Sequence, residues 1–183
     1  METSIGLLEL KSIPVGMEAA DEMLKAADVN LLSATAACPG KYIIIISGKI
    51  GPVNSAVKAG IKTAGSFLLS QHTIHRVHEQ LPEAILGLSD VSDVSSLGTI
   101  ETISAVAAIR AGDIAAKASN VMLVEIRVAR GLGGKGYLVF TGDISAVRSA
   151  VNACIAAMEQ SGEICSHSVI SSPHPQLVKQ ILQ

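Results

Sequence analysis

The chain has 183 residues, enough for one ordinary domain or two small ones. Hydrophobic residues make up 49% of it but aromatics only 2%, and tryptophan is absent; small apolar side chains let elements approach closely but fill little volume, and such chains often gain burial against other subunits. The formal net charge of −2, with no polybasic run, excludes the basic field of a nucleic-acid binder. No apolar stretch has the length of a membrane span and no leader pattern is visible, so the expected location is cytoplasmic and reducing. Cys38, Cys154 and Cys165 are then expected to be free thiols or ligands rather than bridges.

The segment 5–13 reads as a strand that leads into a helix over 15–27, where Met17, Ala20, Leu24 and Ala27 recur at helical spacing. Asp21 and Lys25 form a favourable i,i+4 pair on its other face. Strands over 29–36 and 42–48 follow, turning back at Cys38-Pro39-Gly40, and the unalternated run Ile43 to Ile46 predicts burial on both faces of a sheet. Gly51-Pro52 opens a second helix with the stripe Val53, Val57, Ile61, Ala64 and Leu68, and 73–77 is expected to close the sheet. The Ser/Asp-rich "GLSDVSDVSSLG" reads as a linker. The second half repeats the order. Ser145 is the expected N-cap of its second helix, Val147, Val151, Cys154 or Ile155, and Met158 point inward, and 166–170 is the closing strand.

The second half restates the first in detail. At a shift of 92, Gly6 falls on Gly98, Glu9 on Glu101, Ser12 on Ser104, Asp21 on Asp113, Lys25 on Lys117 and Val29 on Val121. At a shift of 94, Gly40-Lys41 falls on Gly134-Lys135, Gly48 on Gly142 and Ile50 on Ile144; at 96, His78 falls on His174 and Leu81 on Leu177. Polar residues matching in order across almost a whole half-chain define an internal repeat rather than shared composition. Two domains follow, 1–90 and 97–183, each β-α-β-β-α-β.

The doubled pattern G-x-x-E, A-x-D-x-x-x-K-A, G-K and G-D/K-I/V-x-x-V-x-x-A-V resembles bacterial microcompartment shell proteins. Two such domains in one chain, each beginning with the strand ahead of the helix, look like the tandem-domain, non-permuted, trimeric type of the propanediol-utilisation kind. The resemblance implies an α/β (α+β) fold of two ferredoxin-like domains. It also implies a homotrimer that forms a pseudo-hexagonal tile in the shell of a microcompartment within the bacterial cytoplasm, joined edge to edge to other shell proteins. Lys25 and Lys117 match the family's edge lysine. Of the family's edge segment P-R-P-H, the first repeat keeps Arg76 and His78 and the second keeps His174, with Ser172 in place of the arginine.

The segment between the second and third strands is the pore loop by the same resemblance. It is Cys38, Pro39 and Gly40 in the first repeat and the longer "RGLGGKG" in the second, with Gly131, Leu132, Gly133 and Gly134 at its centre. Glycines suit a crowded symmetry axis, and their N–H groups suit a passage for polar metabolites. "GLGGKG" precedes a strand, so it lacks the helix N-terminus of a nucleotide site. In this kind of shell protein the cysteine matching Cys38 is a ligand of an iron–sulfur cluster, which implies one [4Fe-4S] cluster per trimer on the three-fold axis, for electron or cluster transfer across the shell. A lumenal redox enzyme is a candidate partner. Taken by itself, a lone loop cysteine reads as a free thiol or a pore constriction, and zinc on three thiolates uses the same geometry. Two further functions stay open at this point: a shell tile without a cluster that passes small metabolites, and a non-shell trimeric ligand-sensing protein. No nucleophile–base arrangement or doubled carboxylate pair marks an enzyme.

Overall fold

The computed structural model describes residues 3–128 and 131–182. The chain falls into two compact units, one of residues 3–79 with 131–133 and one of 80–128 with 134–182.

The first unit holds β1 (Ser4–Leu10), α1 (Ile13–Ala26), β2 (Asn30–Ala37), β3 (Lys41–Gly48), α2 (Ile50–Ala64) and β4 (Leu68–Ile74), with a 3-10 turn at Gly65–Phe67. Its antiparallel sheet has the order β2-β3-β1-β4. Each helix therefore joins two parallel strands that have a third between them, the split β-α-β arrangement of a ferredoxin-like fold. Both helices cover one face, where Leu8, Leu10, Ile44 and Ile46 meet Ala19, Ala20 and Met23 of α1 and Val53 and Ala56 of α2. Ile43 and Ile45 point to the other face and are also buried, as the unalternated run predicts.

The second unit begins with α3 (Leu81–Leu86) and repeats the plan: β5 (Leu97–Thr102), α4 (Ala105–Ala118), β6 (Met122–Val128), β7 (Gly136–Thr141), α5 (Ile144–Met158), a 3-10 turn at Glu159–Ser161, β8 (Ile164–Ile170) and α6 (Pro175–Ile181). The sheet order is β6-β7-β5-β8. Even irregularities recur. The ladder of β2 on β3 slips between Leu31 and Ser33, and that of β6 on β7 slips between Leu123 and Glu125, 92 residues on.

The repeats differ where bulk moves between partners. In the first, Gly16 on α1 faces Tyr42 on β3, and a Cβ at Gly16 would collide with the ring. In the second the corresponding pair is Ala108 on α4 and Gly136 on β7, and a Cβ at Gly136 would lie 2.8 Å from that of Ala108. Helix and strand approach closely in both, with the larger side chain on opposite partners.

Some local expectations are corrected. β1 ends at Leu10 and α1 starts at Ile13, because Pro14 has its φ preset for a first helical turn. The buried stripe of α1 is Gly16, Ala19, Ala20 and Met23, while Met17 and Leu24 are 57% and 39% exposed. Leu68 opens β4 instead of ending the α2 stripe, and β4 runs 68–74 rather than 73–77. This edge strand is largely exposed and has no apolar alternation to mark it. Asp143, not Ser145, is the residue ahead of α5. The short helices α3 and α6 are additions to the expected β-α-β-β-α-β order.

Candidate functional site

The β2–β3 connection is a three-residue turn closed by the pairing of Ala37 with Lys41. Cys38, Pro39 and Gly40 occupy it and all three are exposed, with a cis Cys38–Pro39 peptide. Gly40 has φ +65° and nothing within 4 Å of where a Cβ would sit. That backbone favours glycine, and the space where a side chain would sit at Gly40 is open.

The base of the turn is anchored. Lys41 Nζ lies 3.1 Å from Glu9 Oε2 across the β1–β3 ladder, and the Glu9 side chain is only 9% exposed. The second repeat has the same pair, Lys135 with Glu101 at 3.2 Å, but both side chains are more exposed, at 49% and 41%. The matched glutamates and lysines were visible in the repeat; their pairing was not, because it depends on the strand register.

The second loop is built differently. Gly131, Gly133 and Gly134 all have positive φ, at 68°, 62° and 92°. Gly131 and Gly133 are exposed, while Leu132 and Gly134 are half-buried. Arg130, the first residue of that loop, lies outside the described residues. Successive N–H groups in a turn of this kind offer donors to anions and polar solutes.

Lys25 and Lys117 both lie in the last turns of their helices, where a cation suits the helix dipole. Lys25 hydrogen-bonds Asp21 and has Glu22 at 3.6 Å; the Asp21 bond and charge raise its pKa. Lys117 reaches Asp113 at 2.6 Å. Arg76 follows β4 with φ +53°, rare outside glycine, and His78 is half-buried before α3. His174 caps α6, its Nδ1 accepting from the Gln176 amide at 3.2 Å.

The other thiols separate cleanly. Cys154 is fully buried on α5, as its helical position predicts, and donates to Ala111 O at 3.3 Å. Burial pushes its pKa up to about 12. Cys165 is exposed on β8 beside an open cavity of about 310 Å³ lined also by Ile155, Met158 and His167. Among the described residues no group of three His, Cys, Asp or Glu side chains is placed to hold a metal within one chain.

A model of the BMC domain matches residues 4–77 and again 96–173. The chain belongs to the family of bacterial microcompartment shell proteins. It is 41% identical to the bacterial microcompartment shell protein PduT of Citrobacter freundii, over the whole of both chains. It is 38% identical to the carboxysome shell protein CcmK2 of a Synechocystis species over 85 residues, 44% of this chain and 82% of that one. The crystal structure of a microcompartment protein from Desulfitobacterium hafniense superimposes with a TM-score of 0.94 at 44% identity, covering 97% of this chain and 98% of that one. Family membership places this shell protein in a bacterial microcompartment of the cytoplasm and gives it a structural role rather than an enzymatic one. It also displaces the reading as a ligand-sensing trimer outside a shell. No helix among the described residues is long and apolar enough to cross a membrane.

Sequence reasoning also missed the contacts of Gln80 in the second unit. The Gln80 side chain, just before α3, accepts from the Leu123 amide at 2.7 Å and donates to Val121 O at 3.3 Å. The available signal was the repeated Gln-Leu at 80–81 and 176–177, read only at its leucine.

Proposed function

We propose that this shell protein forms a homotrimer, a pseudo-hexagonal tile of six BMC domains around a central opening. Three copies of Cys38 would hold one [4Fe-4S] cluster there, on the three-fold axis, for electron or cluster transfer across the shell. The observation that carries this reading is the exposed Cys38 thiol at the tip of the short β2–β3 turn, present in one repeat only. The tile joins other shell proteins at its edges, where Lys25, Lys117, Arg76, His78 and His174 are the candidate contacts, and a lumenal redox enzyme is its candidate partner.

The residues present suit the group. Iron–sulfur clusters are held by cysteine thiolates, usually four. One chain supplies a single thiol at this turn, and three-fold symmetry supplies three, leaving one iron for solvent or a small ligand. Cys38 is exposed, and nothing crowds the position of a side chain at Gly40, two residues on. When bound, the cluster supplies one-electron chemistry. The chain's own part is to present the thiolate, while the Lys41–Glu9 pair fixes the root of the turn.

Anaerobically purified protein is expected to be brown, with broad visible absorption and bound iron, and Cys38→Ser is expected to lose both. Colourless wild type without iron after reconstitution would sink the cluster and leave the tile intact. The second reading, a tile that passes small polar metabolites, is favoured by the three positive-φ glycines of the other loop. It predicts equal metal content in wild type and Cys38→Ser.

A further inference from the structure

The strands that carry the Cys38 turn are almost free of charge. Between Asp28 and Lys49 the only charged side chain is Lys41. It opens β3 and pairs across the ladder with Ala37, the residue before Cys38. The corresponding stretch of the second unit is richer in charge, with Glu125 and Arg127 on β6 and Lys135 just ahead of β7.

The single charge beside the turn is cancelled from the neighbouring strand. Lys41 Nζ meets Glu9 Oε2 at 3.1 Å, with Glu9 buried and Lys41 half-buried. On the same sheet face Glu9 has Leu7, two residues before it on β1, and Ile43, its partner on β3. Both are buried apolar side chains. In the second unit Thr99 and Tyr137 take those places and are only half-buried, and the Lys135–Glu101 pair is more exposed. The repeat that carries the thiol is therefore the one whose pair is set among apolar groups.

We propose that the Glu9–Lys41 pair sets the reduction potential of the centre at Cys38; this rests on the cluster reading above. Both are positioning residues rather than ligands. The potential of an iron–sulfur centre follows the net charge and the burial around it. Charges among apolar groups act through a lower effective dielectric than charges in water, and salt screens them less. Paired, Glu9 and Lys41 add no net charge beside the turn. Without Lys41, the Glu9 carboxylate opposes an incoming electron; without Glu9, the Lys41 ammonium favours it. Three-fold symmetry repeats each change in every copy round the axis.

The test is a potentiometric titration of the full chain, loaded with iron and sulfide under anaerobic conditions. Dithionite supplies the electrons through mediator dyes, one to each cluster, and electron paramagnetic resonance reads the reduced form. Iron content and circular dichroism identify variants that are loaded and folded. At the wild-type midpoint, Lys41→Met is expected to lower the reduced-to-oxidised ratio about tenfold, a fall of about 59 mV for one electron. Glu9→Gln is expected to raise it by a similar factor, and the double variant to return close to wild type. Lys135→Met is expected to move it less than Lys41→Met does, because water and salt screen the exposed pair. Loaded single variants that leave the ratio unchanged or move it in the same direction overturn the proposal and leave the cluster standing. So does a double variant displaced as far as Lys41→Met, or a Lys135→Met shift of equal size. Should Lys41→Met fail to fold, Glu9→Gln decides alone: a rise supports the pair, and no rise overturns it. Wild type that holds no iron overturns the pair and the cluster together.

Discussion

Lys41 Nζ lies 3.1 Å from Glu9 Oε2, and the same pair returns 92 to 94 residues later as Lys135 and Glu101 at 3.2 Å. The geometry repeats but the surroundings do not. Glu9 is 9% exposed and Glu101 is 41% exposed. Removing one partner of a buried pair strands the other charge, whereas an exposed pair contributes little. The Lys41–Glu9 pair is part-buried, with Lys41 31% exposed, so Lys41→Met is expected to cost about 1–3 kcal/mol, and Lys135→Met less than about 1 kcal/mol. Urea unfolding midpoints at unchanged slope measure the difference.

Gly16 leaves no room for a side chain against the Tyr42 ring. Gly16→Ala is expected to destabilise the first unit by about 1–3 kcal/mol through overpacking. Ala108 already carries that methyl group, because Gly136 replaces the ring there. Gly136→Ala is expected to reproduce the defect in the second unit, and thermal melts of both variants check it.

The cysteines differ in accessibility, so a thiol reagent is expected to modify Cys38 and Cys165 rapidly in monomeric, cluster-free protein, and Cys154 only after unfolding. Because burial raises the Cys154 pKa from 9.0 to about 12, the fold favours the protonated thiol. Its contribution is complete below pH 9, where the unfolded chain also keeps the proton, and is lost as pH rises towards 12. Cys154→Ala is expected to flatten that alkaline decline in the unfolding midpoint.

Lys25 and Lys117 occupy equivalent exposed positions next to Asp21 and Asp113. If they work at the tile edge, Lys25→Ala with Lys117→Ala is expected to remain trimeric and fail to form extended sheets. Electron microscopy together with sedimentation separates that outcome from a loss of folding. Sheets as extensive as those of wild type would remove both lysines from the edge.

The fold was legible wherever a pattern was long or doubled. The Ile43–Ile46 run, the four long helices and the turn at Cys38 all follow from residue order, and the repeat supports the β-α-β-β-α-β plan with a second copy. The α1 stripe was misplaced by one position because apolar residues lie on both sides of that helix. Met17 and Leu24 satisfied helical spacing as well as Gly16 and Met23 do, and only the close Gly16–Tyr42 approach selects between them. β4 was displaced because an exposed strand of Gln, His, Ser and Thr carries no burial signal. The Glu9–Lys41 pair and the Gln80 clasp join residues 32 and 41–43 positions apart, so they depend on strand register and on where α3 packs.

Cys38 has no counterpart in the second repeat, where the same turn is built from glycines. A ring of six identical single-domain chains presents the same side chain at every position. A ring of doubled chains presents thiol and glycine loops in alternation. In the proposed trimer, fusion of the two domains would fix both the number of sulfurs facing the axis and the gaps between them, and a mutation in one loop would alter every second position while sparing its neighbours.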